Sequence, residues 1–156
     1  MDHIVFLDAR SKEMDNLLKG NKTMIIRAAQ GQKMPHGRVS QGDILYFVNN
    51  NNDCMIRAKA TVSSVFCSDV LTVEESFETI IRNQDKLQLP DRLFDKMAGK
   101  RYLVLVGLEN ILPVNPVRFR KRGFENMEDW LPVGRIEEFI FQEAEQIVNK
   151  LCLYIV

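Results

Sequence analysis

Three strand-like runs follow one another between residues 22 and 66 with no helix-length segment between them. They are KTMIIRA (22–28), ILYFV (44–48) and CMIRAKATVSSVF (54–66). Each is rich in β-branched and apolar residues, which suit a pleated, half-buried surface. The links between them, AAQGQKMPHGRVSQGD (28–43) and NNNND (49–53), are built of Gly, Asn and polar residues, the chemistry of loops and hairpin turns. Neighbouring parallel strands need a crossover of about a dozen residues or more, usually a helix. A doubly wound parallel sheet therefore does not fit. The order predicts an α+β fold, a small mixed β-barrel with helices at its rim.

The flanking segments complete that outline. HIVFLDA (3–9) reads as a first strand. Ser11 is placed to cap a short helix that ends at Gly20. Within KTMIIRA, strand alternation puts Thr23, Ile25 and Arg27 on one face and Lys22, Met24 and Ile26 on the other. Lys22 and Arg27 converge only if Lys22 belongs to the preceding turn or the strand is bulged. Thr72 and Glu75 form a capping box for a helix from about residue 73, and LPDRLFDKMAG (89–99) is a second short helix between Pro90 and Gly99. RYLVLVGLENILPV (101–114) is the most apolar strand, and FRKRGFENMEDWLPVG (119–134) reads as a surface segment. In 135–151 the spacing of Ile136, Phe139, Ile140, Ile147, Val148 and Leu151 predicts an amphipathic helix. The domain reading is a barrel over 1–114 and a C-terminal helical extension over 115–156 that packs on it.

Net charge is zero over 156 residues but unevenly placed: residues 1–124 carry 19 basic and 14 acidic side chains, residues 125–156 carry 2 and 7. A mildly basic body suits nucleic-acid contact, and an acidic, apolar-ended tail suits a homodimer or a protein partner. Cys54, Cys67 and Cys152 are scattered, and with only His3 and His36 beside them no metal site is expected; nor is any cofactor. No apolar run approaches a membrane span and the first residues lack a signal-peptide pattern, so the expected location is cytoplasmic.

Several clusters of side chains carry chemistry. Lys22 and Arg27 flank an apolar strand just after Gly20, and a cation pair of this kind binds phosphate or a base carbonyl; a solvated strand end is the alternative. His36 and Arg38 lie in the following loop. In PVRFRKRGF (116–124), Arg118, Arg120, Lys121 and Arg122 interleave with Phe119 and Phe124, a pattern in which cations neutralise phosphates and rings stack on unpaired bases. Glu74, Glu75 and Glu78 complement a helix N-terminus; a general-base role is the alternative for one of them.

Gly20, Lys22 and Arg27 before a Gly-rich loop, the Gly42-Asp43 turn into a strand, and Ala60 and Val62 on the long strand that follows together resemble the ASCH domain of the PUA-like superfamily, over roughly residues 3–112. Ile25 stands where the family pattern has an acid. The resemblance implies a PUA-like barrel with a ligand cleft; the reading that follows has Lys22, Thr23 and Arg27 contact RNA or a modified nucleoside there, with His36, Arg38 and the cations Arg118, Arg120, Lys121 and Arg122 extending the contact. One bacterial branch of the family hydrolyses N(4)-acetylcytidine with a Lys, a Thr and a Glu. The likeness carries the Lys onto Lys22 and the Glu onto Glu74, Glu75 or Glu78, with Glu75 as the representative choice. The Thr falls on Met24, which has no hydroxyl. An RNA- or nucleoside-binding domain is thus the leading expectation. An amidohydrolase on an acylated nucleoside and an interaction module acting through residues 125–156 are the others.

Overall fold

The computed structural model describes residues 1–120 and 129–141. Six strands form one curled sheet: β1 (Asp2–Leu7), β2 (Met24–Ala29), β3 (Ile44–Asn49), β4 (Met55–Cys67), β5 (Tyr102–Arg118) and β6 (Trp130–Gly134). Their spatial order is β2-β5-β4-β3-β1-β6. Only β1 and β3 run parallel; every other neighbouring pair is antiparallel. The short helices are α1 (Glu13–Leu18), α2 (Val73–Arg82), α3 (Gln84–Leu87) and α4 (Asp91–Met97). This is the mixed α+β barrel the strand spacing predicts.

Period-two alternation places the core. Ile25, Val104 and Val106 point into the barrel with Val5, Leu45, Phe47, Ala58, Ala60 and Trp130. Their neighbours Met24, Ile26, Leu103 and Leu105 point outward and are covered by Ile80, Leu87 and Leu93 of the helices. Both faces of the first halves of β2 and β5 are thus buried, so Met24–Ile26 and Leu103–Val106 read as continuous apolar runs. Burying one such Leu or Ile stabilises the fold by about 1.5–3 kcal/mol. Ile4, Val48, Ile56, Phe119, Leu131 and Val133 make a third cluster on the outside of β1, β3 and β6.

Several elements differ from the sequence reading. Residues 130–134 are a buried strand paired with β1, because Trp130, Leu131 and Val133 have apolar partners on β1 that sequence distance hides. Helix α1 starts one turn-residue later than expected, with left-handed Lys12 in the cap position; the Ser11 hydroxyl bonds the Asp8 carboxylate instead. Strand β5 continues without a break past residue 114 to Arg118. Of the expected terminal helix, Ile136–Glu138 form a single 3₁₀ turn, and residues 142–151 lie outside the described residues.

The two edge strands of the sheet, β2 and β6, leave a seam in the barrel. A side chain crosses it: Arg27 of β2 donates to the Phe6 carbonyl of β1 at 2.6 Å.

Candidate functional site

The seam holds a cleft built around Arg27. Its position two residues after Ile25 turns it into the barrel end, as the alternation predicts. Besides the bond to Phe6, Nη1 donates to the Ile26 carbonyl at 2.9 Å, and the guanidinium lies over the Trp130 ring, 5.7 Å from its centroid. The Nε–H is buried and has no hydrogen-bond partner. Arg27, Lys33, Met34, His36, Tyr102 and Asp129 line a cavity of about 60 Å³. That is room for a few waters or for one edge of a ligand, well short of the ~300 Å³ that encloses a whole drug-sized molecule.

Loop 30–38 forms one wall and is pinned in place. His36 Nε2 sits 2.8 Å from the Ser68 carbonyl, which can only accept, so Nε2 carries the proton and Nδ1 is an acceptor when the ring is neutral. The ring stands edge-on to Tyr102 with centroids 5.6 Å apart. The lining therefore combines two cationic residues, Arg27 and Lys33, an imidazole and an acidic residue, Asp129. Arg38 is exposed and lies outside the lining.

Lys22 is placed differently. It sits in the turn before β2, which begins at Met24, and is only 2% exposed. Its ammonium meets Glu13 of α1 at 3.6 Å and donates to the Leu87 carbonyl. Burial pushes the Lys22 pKa down; the Glu13 charge opposes this and nearby Arg27 adds to it. Lys22 and Arg27 are thus close enough to interact, yet Lys22 does not line the cavity. Ile25, at the family's acidic position, is fully buried in the barrel core; the carboxylate facing Lys22 comes from Glu13, a residue the sequence reading did not single out. Thr23 is exposed, while Met24 belongs to the cluster under the helices.

Glu74, Glu75 and Glu78 are all exposed on α2 and none lines the cleft. Glu75 completes the capping box with Thr72: its carboxylate accepts the Thr72 N–H at 3.0 Å, and its own N–H donates to the Thr72 hydroxyl at 3.1 Å. The bonds from the Thr72 N–H hold its carboxyl below the usual range.

Of the basic patch, Arg118 is exposed and Arg120 lies 5.0 Å from the Phe141 centroid. Both border an open groove of about 630 Å³ with Asn52, Asp53, Cys54 and Met55. Phe119, read as a stacking ring, is 2% exposed and packs against Ile4, Val48, Ile56 and Leu131. Lys121, Arg122 and Phe124 lie outside the described residues.

Behind the cleft runs a buried polar chain that sequence reasoning did not assemble. Asp43, from the Gly42-Asp43 turn, sits 2.8 Å from His3 Nε2. His3 Nδ1 accepts the Trp130 indole N–H at 3.0 Å. Asp43 also takes the Ser40 N–H at 2.9 Å and faces the N-terminal amine at 3.3 Å. Burial pushes the Asp43 pKa up, but these hydrogen bonds, that from His3 foremost, outweigh it and hold the carboxyl below its usual value. The Gly-Asp pair and the lone Trp were visible in the sequence; their convergence was not. Among the described residues, no three His, Cys, Asp or Glu side chains converge as a metal site. No helix there is long and apolar enough to cross a membrane.

Comparisons with known proteins place this architecture. No family model and no curated protein matches the chain. Among solved structures, an ASCH protein from Zymomonas mobilis matches with TM-score 0.60 and 12% identity, covering 94% of this chain and 91% of that one. A tyrosine-to-phenylalanine mutant of the same protein matches with TM-score 0.65 and 12% identity over 95% and 96% of the two chains. A serine-to-alanine mutant gives 0.61 and 13% over 96% and 95%. At this identity the likeness is one of fold, and the fold is ASCH-like.

Proposed function

We propose that this ASCH-fold chain binds single-stranded RNA, taking one base edge or phosphate into the Arg27 cleft. The observation that carries the reading is Arg27 itself: a guanidinium oriented by two carbonyls and an indole face, with N–H groups to spare, lining a cavity that Asp129 also borders. Charge-assisted hydrogen bonds of this kind are the strong ones in phosphate and base recognition. The small volume favours one inserted group of a longer strand over an enclosed free nucleoside. Exposed Lys33 and Arg38 at the loop, and Arg118 at the larger groove, extend the contact by neutralising further phosphates.

The amidohydrolase reading draws less support. Lys22 is paired with Glu13 behind the cleft wall, Met24 supplies no hydroxyl, and the α2 glutamates face solvent. An interaction surface in residues 125–156 falls mostly outside the described residues.

The test is fluorescence anisotropy of a labelled single-stranded RNA 12-mer across a salt series. Affinity is expected to fall with salt at a log–log slope of about −0.7 per phosphate neutralised. Arg27→Gln is expected to weaken binding about tenfold, a loss of about 1.4 kcal/mol, at a temperature where circular dichroism shows the variant folded. Salt-independent binding, or an unaltered Arg27→Gln affinity, overturns the reading.

A further inference from the structure

The geometry points to a buried positioning relay, Asp43–His3–Trp130, that fixes the Arg27 guanidinium at the seam; its importance for binding rests on the reading of the cleft just given. The indole N–H of Trp130 is a donor only, so His3 Nδ1 accepts it at 3.0 Å. That places the imidazole proton on Nε2, where it donates to Asp43 at 2.8 Å. One tautomer satisfies both partners, and the ring orientation follows from it. The indole is then held by its own N–H, and its face carries Arg27 at 5.7 Å.

Each joint of this chain comes from a different element. Asp43 sits in a turn fastened to β4 by two backbone bonds, Gly42 N–H to the Val62 carbonyl and Val62 N–H to the Asp43 carbonyl, both 2.8 Å. His3 is on β1 and Trp130 on β6. His3 is wholly buried and Trp130 is 1% exposed. Apolar residues of the same volume would fill this space at no desolvation cost, and replacing buried polar networks with them is often neutral or stabilising. What a hydrogen-bonded chain adds is direction: it selects one rotation of the indole and hence one seat for the cation above it. Arg27 has two carbonyl bonds to hold its far end; the relay holds the surface it rests on.

The test uses the full chain, with the Arg27 Nε–H resonance as a readout independent of any ligand. In the wild type this signal is expected to be visible and shifted by the indole ring current, since Nε is buried. In His3→Leu, Trp130 and Asp43 lose their partner; in Trp130→Phe the ring face stays but its N–H is gone. Both are expected to broaden or lose the Arg27 signal while the amide spectrum stays dispersed, and to weaken the RNA 12-mer about tenfold, or 1.4 kcal/mol. His3→Gln, whose carboxamide both donates and accepts, is expected to restore the signal and bring affinity within about threefold. If His3→Leu does not fold, Trp130→Phe carries the comparison. A folded Trp130→Phe with an unchanged Arg27 signal and RNA affinity overturns the relay. Loss of the Arg27 signal in a protein whose wild type binds no RNA upholds the relay and removes the cleft reading instead.

Discussion

Lys22 and Asp43 show how a single residue's burial decides its role. Lys22 was legible as a cation near a ligand-binding motif; what the sequence hid is Glu13, which reaches it from α1 and takes up its charge. Removing one partner of a buried ion pair leaves the other uncompensated and costs about 3–5 kcal/mol. Lys22→Met is therefore expected to lower the urea midpoint by that equivalent without changing the m-value, and adding Glu13→Gln should recover most of it. A loss below about 1 kcal/mol would show the pair to be energetically idle. Asp43 carries a pH prediction. Its folded pKa is depressed, so its stabilising contribution is complete above the unfolded value near ~3.9 and is lost as pH falls through the lower folded value. The stability gap between wild type and Asp43→Asn is expected to be full at neutral pH and to shrink below about pH 4. A gap that stays constant down to pH 2 would remove Asp43 from the acid limb.

At the level of elements, periodicity and caps were readable because they are local. The alternation in β2 correctly put Arg27 on the face of Ile25, and Thr72 and Glu75 form the capping box their spacing signals. Thr72→Ala is expected to cost about 1 kcal/mol of stability while leaving RNA affinity unchanged, as α2 has no side chain in the cleft; a parallel loss of binding would bring α2 into the site. Strand β6 escaped notice because WLPVG is five residues long and contains Pro132, a residue that demotes strand readings. It is tolerated here because β6 is an edge strand, paired only with β1. Phe119 was misjudged for the opposite reason: the cations around it dominate the pattern, and only its packing against Ile4, Val48 and Ile56 shows the ring buried. Loop 30–38 hangs on His36 and the Ser68 carbonyl. His36→Ala is expected to speed amide exchange at Gly37 and Arg38 without altering that of β4, and unchanged exchange would mean the loop is held elsewhere.

Over the whole molecule, the fold follows from strands that lack crossovers. The candidate site follows from how the barrel closes. Sheet order leaves β2 and β6 as edges, and their seam is bridged by the side chain of Arg27 in place of a backbone ladder. The residues that meet there, His3, Arg27, His36, Tyr102 and Trp130, are spread over nearly the full described length. No window of sequence could have gathered them, although the motif around Gly20, Lys22 and Arg27 marked one edge of the place. The likeness to the Zymomonas mobilis ASCH structures extends to overall architecture at 12–13% identity, so the chemistry must be read from this chain's own side chains. The most direct measurement is an NMR titration of the labelled protein with a single-stranded RNA 12-mer, following backbone amides, the Trp130 indole and the Arg27 Nε–H. The seam account predicts shifts concentrated at Arg27, Ala28, His36, Tyr102 and the indole. Shifts confined to Arg118 and residues 52–55, or no shift at the seam at saturating RNA, would contradict it.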